Sequence, residues 1–156
     1  MTALKIGDKA PQFKAKDENG NEISLQNFKG KKVILFFYPK DMTPGCTVEA
    51  QNLRDHYSVL TEKGFEVIGV SADDEQRHQK FIEKHQLPFH LIADTDKTVL
   101  NAYGVWGPKK FMGREYDGIH RTTFVIDENG SIELIITKVK TKEHAQQILA
   151  ELEKNK

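Results

Sequence analysis

The stretch Val33-Ile34-Leu35-Phe36-Phe37-Tyr38-Pro39-Lys40-Asp41-Met42-Thr43-Pro44-Gly45-Cys46-Thr47-Val48 decides how this chain is read. Val33 to Phe37 is short, unbroken and rich in β-formers, the pattern of a central strand buried on both faces. A loop holding Pro39 and Pro44 follows, and a helical pattern begins near Thr43. A strand that passes through such a loop into a helix sets Cys46, the only cysteine, at or near the helix N-terminus. Unpaired N–H groups and the positive end of the helix dipole favour a thiolate there.

Outward from this stretch the chain alternates. Glu18-Asn19-Gly20-Asn21 separates Phe13-Lys14-Ala15 from Ile23-Ser24-Leu25 and predicts a small N-terminal β-hairpin. Val48, Leu53, Tyr57 and Leu60 recur at helical spacing, so Thr43 to Lys63 reads as one helix that stops at Gly64. Phe65 to Val70 is the next strand. Ser71-Ala72-Asp73 opens a polar helix to about His85, with Phe81 and Ile82 inward, and Pro88 ends it. Phe89 to Ala93 is a strand, Lys97 to Tyr103 a short helix, and Gly104 to Gly118 a loop rich in Gly, Pro and Lys. Thr122 to Ile126 and Ile132 to Thr137 flank Asp127-Glu128-Asn129-Gly130, a second hairpin signal, and Lys142 to Lys154 closes the chain as an amphipathic helix. Hairpin, βαβαβα, hairpin, α is an α/β order, which implies a mixed central sheet flanked by helices. No repeat, low-complexity segment or linker marks a boundary, so residues 1–156 read as a single domain.

Composition removes several classes of function. Lys plus Arg equal Asp plus Glu at 23 each, so no net field draws the chain to nucleic acid or anionic lipid. One cysteine permits neither an intramolecular disulfide nor a zinc site built from several thiolates. Met1 to Lys9 lacks an apolar h-region, and Val33 to Tyr38 is far too short to span a membrane. A soluble, cytoplasmic protein in a reducing compartment is expected.

A free thiol titrates at about 8.5, so nucleophilic work near neutrality needs local donors or positive charge. The helix start supplies some of both. Thr43, three residues before Cys46, either caps the helix or holds a substrate oxygen beside the sulfur. Pro39 and Pro44 stiffen the loop. The ordinary alternative is an inert buried thiol with a helix cap and turn prolines around it.

Pro39-x-x-x-Thr43-x-x-Cys46 resembles the peroxidatic motif of the peroxiredoxins, and Phe37 to Ala50 resembles their Q-type branch, the bacterioferritin comigratory proteins. The likeness extends to Gly7-Asp8-Lys9-Ala10-Pro11-Gln12-Phe13, to Phe65-Glu66-Val67-Ile68-Gly69-Val70-Ser71 and to Gly118-Ile119-His120-Arg121-Thr122-Thr123-Phe124-Val125-Ile126-Asp127. It implies a thioredoxin-like fold and a thiol-dependent peroxidase. In that chemistry the Cys46 thiolate attacks a peroxide oxygen, becomes sulfenic acid and expels water or an alcohol. Donors for the departing oxygen are Thr43, the N–H groups near Gly45 and Cys46, and one arginine. Arg54 lies roughly 12 Å along the helix from Cys46, Arg77 is on a polar helix and Arg114 in a loop. Arg121 matches the family's arginine in Arg-Thr-Thr-Phe. Glu49, one helical turn beyond Cys46, orients Arg121 or is a solvated surface carboxylate.

The resemblance implies no metal, haem or flavin cofactor. Where Q-type enzymes carry a resolving cysteine, this chain has Gln51 and Phe81-Ile82-Glu83, so an outside thiol must regenerate Cys46: thioredoxin, glutaredoxin or a small thiol. Gln51 is either native or a replacement of such a cysteine. Hydrogen peroxide and small organic hydroperoxides are the implied substrates, and a monomer is expected, with a dimer as the alternative.

Rival readings are a redox sensor whose Cys46 oxidation changes a partner surface, and a Cys-His hydrolase using His120. Neighbouring strand residues face opposite ways, so His120 and Arg121 do not both address Cys46 in a regular strand. His56, His78, His85, His90 and His144 lack metal-ligand spacing and read as surface or packing residues. Phe36, Phe37 and Phe124 read as core, while Trp106 and Phe111 border the peroxide entrance or cover the core.

Overall fold

The N-terminal hairpin forms because Asp17 holds its turn. The Asp17 carboxylate accepts from the N–H groups of Asn19 at 2.8 Å and Asn21 at 3.1 Å, and so joins β1 (Lys14–Lys16) to β2 (Glu22–Ser24). A 3₁₀ turn, Leu25–Phe28, leads to β3 (Lys32–Phe37). After α1 (Pro44–Asp55), α2 (Tyr57–Glu62), β4 (Phe65–Ser71), α3 (Glu75–His85), β5 (His90–Ala93) and α4 (Thr98–Ala102) come β6 (Trp106–Phe111) and β7 (Arg114–Ile119). The chain ends with β8 (Thr122–Ile126), β9 (Ile132–Ile136) and α5 (His144–Lys154). These are the elements of a computed structural model that describes residues 2–154.

Five strands form the central sheet in the order β5-β4-β3-β8-β9. β3 runs parallel to β4 and β4 to β5, whereas β8 is antiparallel to both β3 and β9, so the sheet is mixed. Alternate residues of β3 enter separate cores, as expected for a strand covered on both faces. Val33, Leu35 and Phe37 pack with Leu100, Tyr103, Val105 and Phe124. Ile34, Phe36 and Tyr38 pack with Leu53 of α1, Leu60 of α2, Phe81 of α3 and Ile148 of α5. Gly69 in β4 permits this layer to close, because a Cβ there would lie 2.6 Å from Leu91 Cδ2 and 2.8 Å from Phe36 Cζ.

Three boundaries differ from the sequence expectation. The helix predicted over Thr43 to Lys63 is two helices, broken at His56 (φ −105°, ψ 6°), whose ring Nδ1 lies 2.8 Å from the Asn52 carbonyl. The helix predicted from Ser71 begins at Glu75, with Asp74 as N-cap accepting from Arg77 N–H at 2.9 Å. Ser71 and Asp73 instead bond to each other at 2.7 Å. The expected loop over Gly104 to Gly118 is the β6–β7 hairpin, whose two-residue turn places Met112 (φ 51°) and Gly113 (φ 79°) in the left-handed region. Both central residues of a type I′ turn need that region, and Met-Gly supplies it without the usual Asn-Gly signature. Trp106 is partly buried against the core with Lys97 Nζ 4.9 Å from its ring centroid, whereas Phe111 is exposed. Among the described residues, no helix is long and apolar enough to cross a membrane.

Candidate active site

The end of β3 and the start of α1 are joined by Tyr38 to Thr43, and a buried polar network fixes that connection. Asp41 is its centre. Its Oδ1 accepts from the Tyr38 hydroxyl at 2.5 Å, its Oδ2 lies 2.6 Å from His78 Nδ1, and its N–H donates to Asp73 Oδ2 at 2.8 Å. Arg77 donates to the Asp41 carbonyl at 3.2 Å and to Asp73 Oδ1 at 3.1 Å. His78 Nε2 bonds the Ile92 carbonyl at 2.9 Å, which ties the loop to β5. Met42 is held at φ 63°, a costly conformation for a non-glycine residue, roughly 1–3 kcal/mol, that persists only where its surroundings impose it. Sequence reasoning missed this network. His78, expected as a surface or packing residue, is fully buried in it with a polar role, and Ser71-x-Asp73, a local side-chain turn signal, is its one trace in the sequence.

Pro44 occupies the first helical turn of α1 and Thr43 the N-cap position. The Thr43 hydroxyl does not cap. It donates to the Lys40 carbonyl at 2.8 Å, so towards a ligand its oxygen acts as an acceptor. The Thr43 carbonyl accepts from Thr47 N–H at 2.9 Å. Proline has no N–H, and the second and third positions of an α-helix have no intrahelical acceptor, so the N–H groups of Gly45 and Cys46 are the donors left at this end.

Arg121 reaches this helix start from the turn between β7 and β8. Its Nη2 is 3.2 Å from Cys46 Sγ and its Nη1 is 2.5 Å from Glu49 Oε1, so one planar fork spans sulfur and carboxylate. Burial opposes its charge, but Glu49 and Cys46 outweigh that and raise the Arg121 pKa above its ordinary value. Glu49 is completely buried, which overturns the surface-carboxylate alternative. Burial raises its pKa to about 7 against the pull of Arg121. Lys109 of β6 adds a second positive charge, with Nζ donating to the Ile119 carbonyl at 2.9 Å. Burial and the repulsion of Arg121 lower its pKa, while Cys46 acts in the opposite sense. Cys46 itself is 1% exposed and the Arg121 side chain 23%. Gly45 lies beside this fork, where a Cβ would meet Nη2 at 3.5 Å, an ordinary van der Waals contact.

The sequence candidates thus separate clearly. Cys46, Arg121 and Glu49 are in contact, with Pro39, Thr43 and Gly45 in the segment that presents the sulfur. Arg54 is engaged with Asp55 and the His85 carbonyl, and Arg77 with the loop network. The His120 ring lies 2.9 Å from the Pro108 carbonyl, which leaves the Cys-His hydrolase without its base. His144, read from sequence as a surface or packing residue, is buried 3.6 Å from Glu49 Oε2.

A model of the AhpC/TSA family matches residues 6–135. Peroxiredoxin Bcp of Escherichia coli is 46% identical over 149 residues, which cover 96% of each chain. Among solved structures, a cysteine-to-serine mutant of Xylella fastidiosa PrxQ superposes with a TM-score of 0.91 at 26% identity, covering 99% of this chain and 98% of its own. A Xanthomonas campestris bacterioferritin comigratory protein, described for alkyl peroxide reduction, gives 0.86 at 28% identity with both chains fully covered. The sheet and its helices are therefore the thioredoxin-like fold that the resemblance implied.

Proposed function

The chain belongs to the AhpC/TSA family, and on that premise we propose that it is a thiol-dependent peroxidase working through Cys46 as one domain over residues 1–156. The observation that carries this reading is the Arg121 fork, which holds Cys46 Sγ and Glu49 Oε1 at once. Its charge faces the sulfur and the space in front of it, where the peroxide oxygens lie.

The Cys46 thiolate attacks the near oxygen of the hydroperoxide. An S–O bond forms as the O–O bond breaks, sulfur loses two electrons, and the far oxygen departs as hydroxide or alkoxide and takes up a proton. Charge grows on that far oxygen, so donors fixed before the reaction lower the barrier most. Arg121 and the N–H groups of Gly45 and Cys46 are those donors, and the Thr43 oxygen accepts from the hydroperoxide O–H. Hydrogen peroxide and small organic hydroperoxides fit this approach.

No second cysteine exists in the sequence, so the sulfenic acid is reduced from outside. A thiol R–SH attacks it, water leaves and a mixed disulfide forms, which a second thiol then breaks to restore Cys46. Thioredoxin, glutaredoxin or a small thiol fills that role, and neither metal nor organic cofactor enters the cycle.

The test mixes reduced protein with one equivalent of hydrogen peroxide, follows thiol loss, and locates a trapped sulfenic acid by mass. Oxidation at Cys46 far faster than that of free cysteine, and slowed by Arg121→Ala, is expected. A rate no greater than that of free cysteine refutes the peroxidase and leaves a redox sensor.

A further inference from the structure

The two oxygens of Glu49 differ. Oε1 accepts from Arg121, whereas Oε2 is buried without a hydrogen-bond donor and faces His144 Nε2 at 3.6 Å. An ionised carboxylate oxygen left in this state is costly, so what sits opposite it matters.

The protonation of His144 follows from its neighbours. Gln147 Nε2 donates to the Lys138 carbonyl at 2.9 Å and Gln147 Oε1 accepts from Lys140 N–H at 2.9 Å, which fixes the amide orientation. That same Oε1 lies 3.0 Å from His144 Nδ1, so Nδ1 carries the hydrogen. Burial first, and the charge of Arg121, disfavour the imidazolium and outweigh the Gln147 bond, which lowers the His144 pKa to about 4. The neutral ring therefore presents a bare Nε2, which accepts from the Thr123 hydroxyl at 2.7 Å. With Glu49 ionised, two acceptors face each other in a buried space with no hydrogen between them. One proton on Oε2 relieves that opposition, and it reaches the single Nε2 lone pair when the Thr123 hydroxyl rotates away and the 3.6 Å gap closes.

We infer that Glu49 Oε2 and His144 Nε2 form a one-proton site behind the peroxidatic sulfur, with His144 a positioning residue that acts on Cys46 only through Glu49 and Arg121. The charged groups facing the pair are Arg121 from the β7–β8 turn and Cys46 from α1, with Lys109 of β6 coupled to both of these. Among the described residues, its hydrogen-bond partners from α5 and β8 are Gln147 and Thr123, both neutral. With the proton bound, Glu49 is neutral and the Arg121 charge faces the thiolate alone. Without it, carboxylate and thiolate share that charge. The proton site and the sulfur therefore compete for one positive charge. Conversion of the thiolate to neutral sulfenic acid removes one negative charge beside Arg121, so the pair releases its proton on oxidation and recovers it on reduction. This consequence rests on the peroxidase reading; the proton site does not.

The experiment uses the reduced full chain labelled with ¹⁵N-histidine and follows the His144 ring nitrogens by NMR from about pH 5 to 9. The expected result is an Nδ1–H tautomer at alkaline pH and one transition of Nε2 centred near the Glu49 value of about 7. That transition vanishes in Glu49→Gln. An Nε2–H tautomer at alkaline pH, or an Nε2 signal that does not move, overturns the proton site in the wild-type chain, with no variant required to fold. The rate of Cys46 oxidation should show a matching step of roughly tenfold or less that Glu49→Gln and His144→Phe both abolish. A transition in His144 with Cys46 no faster than free cysteine upholds the proton site and overturns its catalytic role.

Discussion

Replacing His78 with Phe removes the cationic side of the clamp under the loop that leads to Cys46. His78 and Asp41 are both fully buried, with Nδ1 2.6 Å from Oδ2 and Nε2 2.9 Å from the Ile92 carbonyl. Burial works against the imidazolium, but the hydrogen bond and charge of Asp41, with the Ile92 carbonyl and Asp73, outweigh it and raise the His78 pKa above its ordinary value. Phe keeps a ring of similar size and removes both donors, leaving Asp41 Oδ2 buried and unpaired. Losing one partner of a buried pair costs about 3–5 kcal/mol, against about 0–1 for a surface pair. At about 2–4 °C per kcal/mol for a chain of this length, Tm should fall by roughly 6–20 °C.

The sign of the pH dependence follows from the direction of the shift. A raised folded-state pKa means that the stability His78 contributes is complete below its unfolded value of about 6.5 and is lost as pH rises through the raised value. The deficit of His78→Phe is therefore widest near pH 6 and narrows on the alkaline side. Urea unfolding followed by far-ultraviolet circular dichroism at about pH 6, 7.5 and 9 measures it. A deficit below about 1 kcal/mol, or one that widens with pH, refutes the account of this clamp.

Three other substitutions probe separate parts of the structure. Arg121→Lys replaces a fork by a point charge that cannot serve Cys46 and Glu49 together, so peroxide oxidation of Cys46 should slow by about 10²–10³-fold in stopped flow. A change within about threefold would show that the fork is not what matters. Gly69→Ala places a methyl group 2.6 Å from Leu91 Cδ2 and 2.8 Å from Phe36 Cζ, and should cost about 1–3 kcal/mol in urea titrations, with an unchanged midpoint as the contrary result. Gln51→Cys adds a thiol five residues along α1, a rise of about 7.5 Å that intact helix geometry does not let a disulfide span. Peroxide should leave it unbonded to Cys46 unless α1 unwinds, so a disulfide by mass with unchanged circular dichroism would contradict the geometry.

The fold was largely legible because its signals are local. The apolar run of β3, the Asp127 to Gly130 turn and the Gly64 stop each rest on neighbouring residues, and each element appears where it was read. What escaped depends on contacts with distant residues. Ser71-Ala72-Asp73 reads as a helix start because nothing nearby shows that the Asp73 carboxylate serves Asp41, 32 residues away in sequence. The β6–β7 hairpin was hidden by Pro108, two lysines and a Met-Gly turn, which resemble a loop until the register Phe111↔Arg114 pairs them. Thr43 shows the same limit: an N-cap position was readable, but not that the Lys40 carbonyl takes its hydroxyl.

The site itself is produced by two registers that only the folded sheet and helix layer supply. Phe37, the last residue of β3, pairs with Thr122, so Arg121 lies one step past the end of that strand, where the chain turns toward α1. Antiparallel pairing therefore brings Arg121 to the end of β3 from which the chain enters α1. On the other side, Asn52 sits one turn beyond Glu49 on α1 and docks the start of α5, accepting from Ala145 N–H at 2.8 Å and donating to the Lys142 carbonyl at 3.0 Å. That contact seats His144 opposite Glu49. Cys46 and Glu49 are three residues apart on one helix, yet their partners come from a strand turn and a C-terminal helix that meet only because the sheet order puts β8 beside β3. A change that slides the β3–β8 register by one residue would leave every motif in the sequence intact and still separate Arg121 from Cys46, because alternate strand positions face opposite sides.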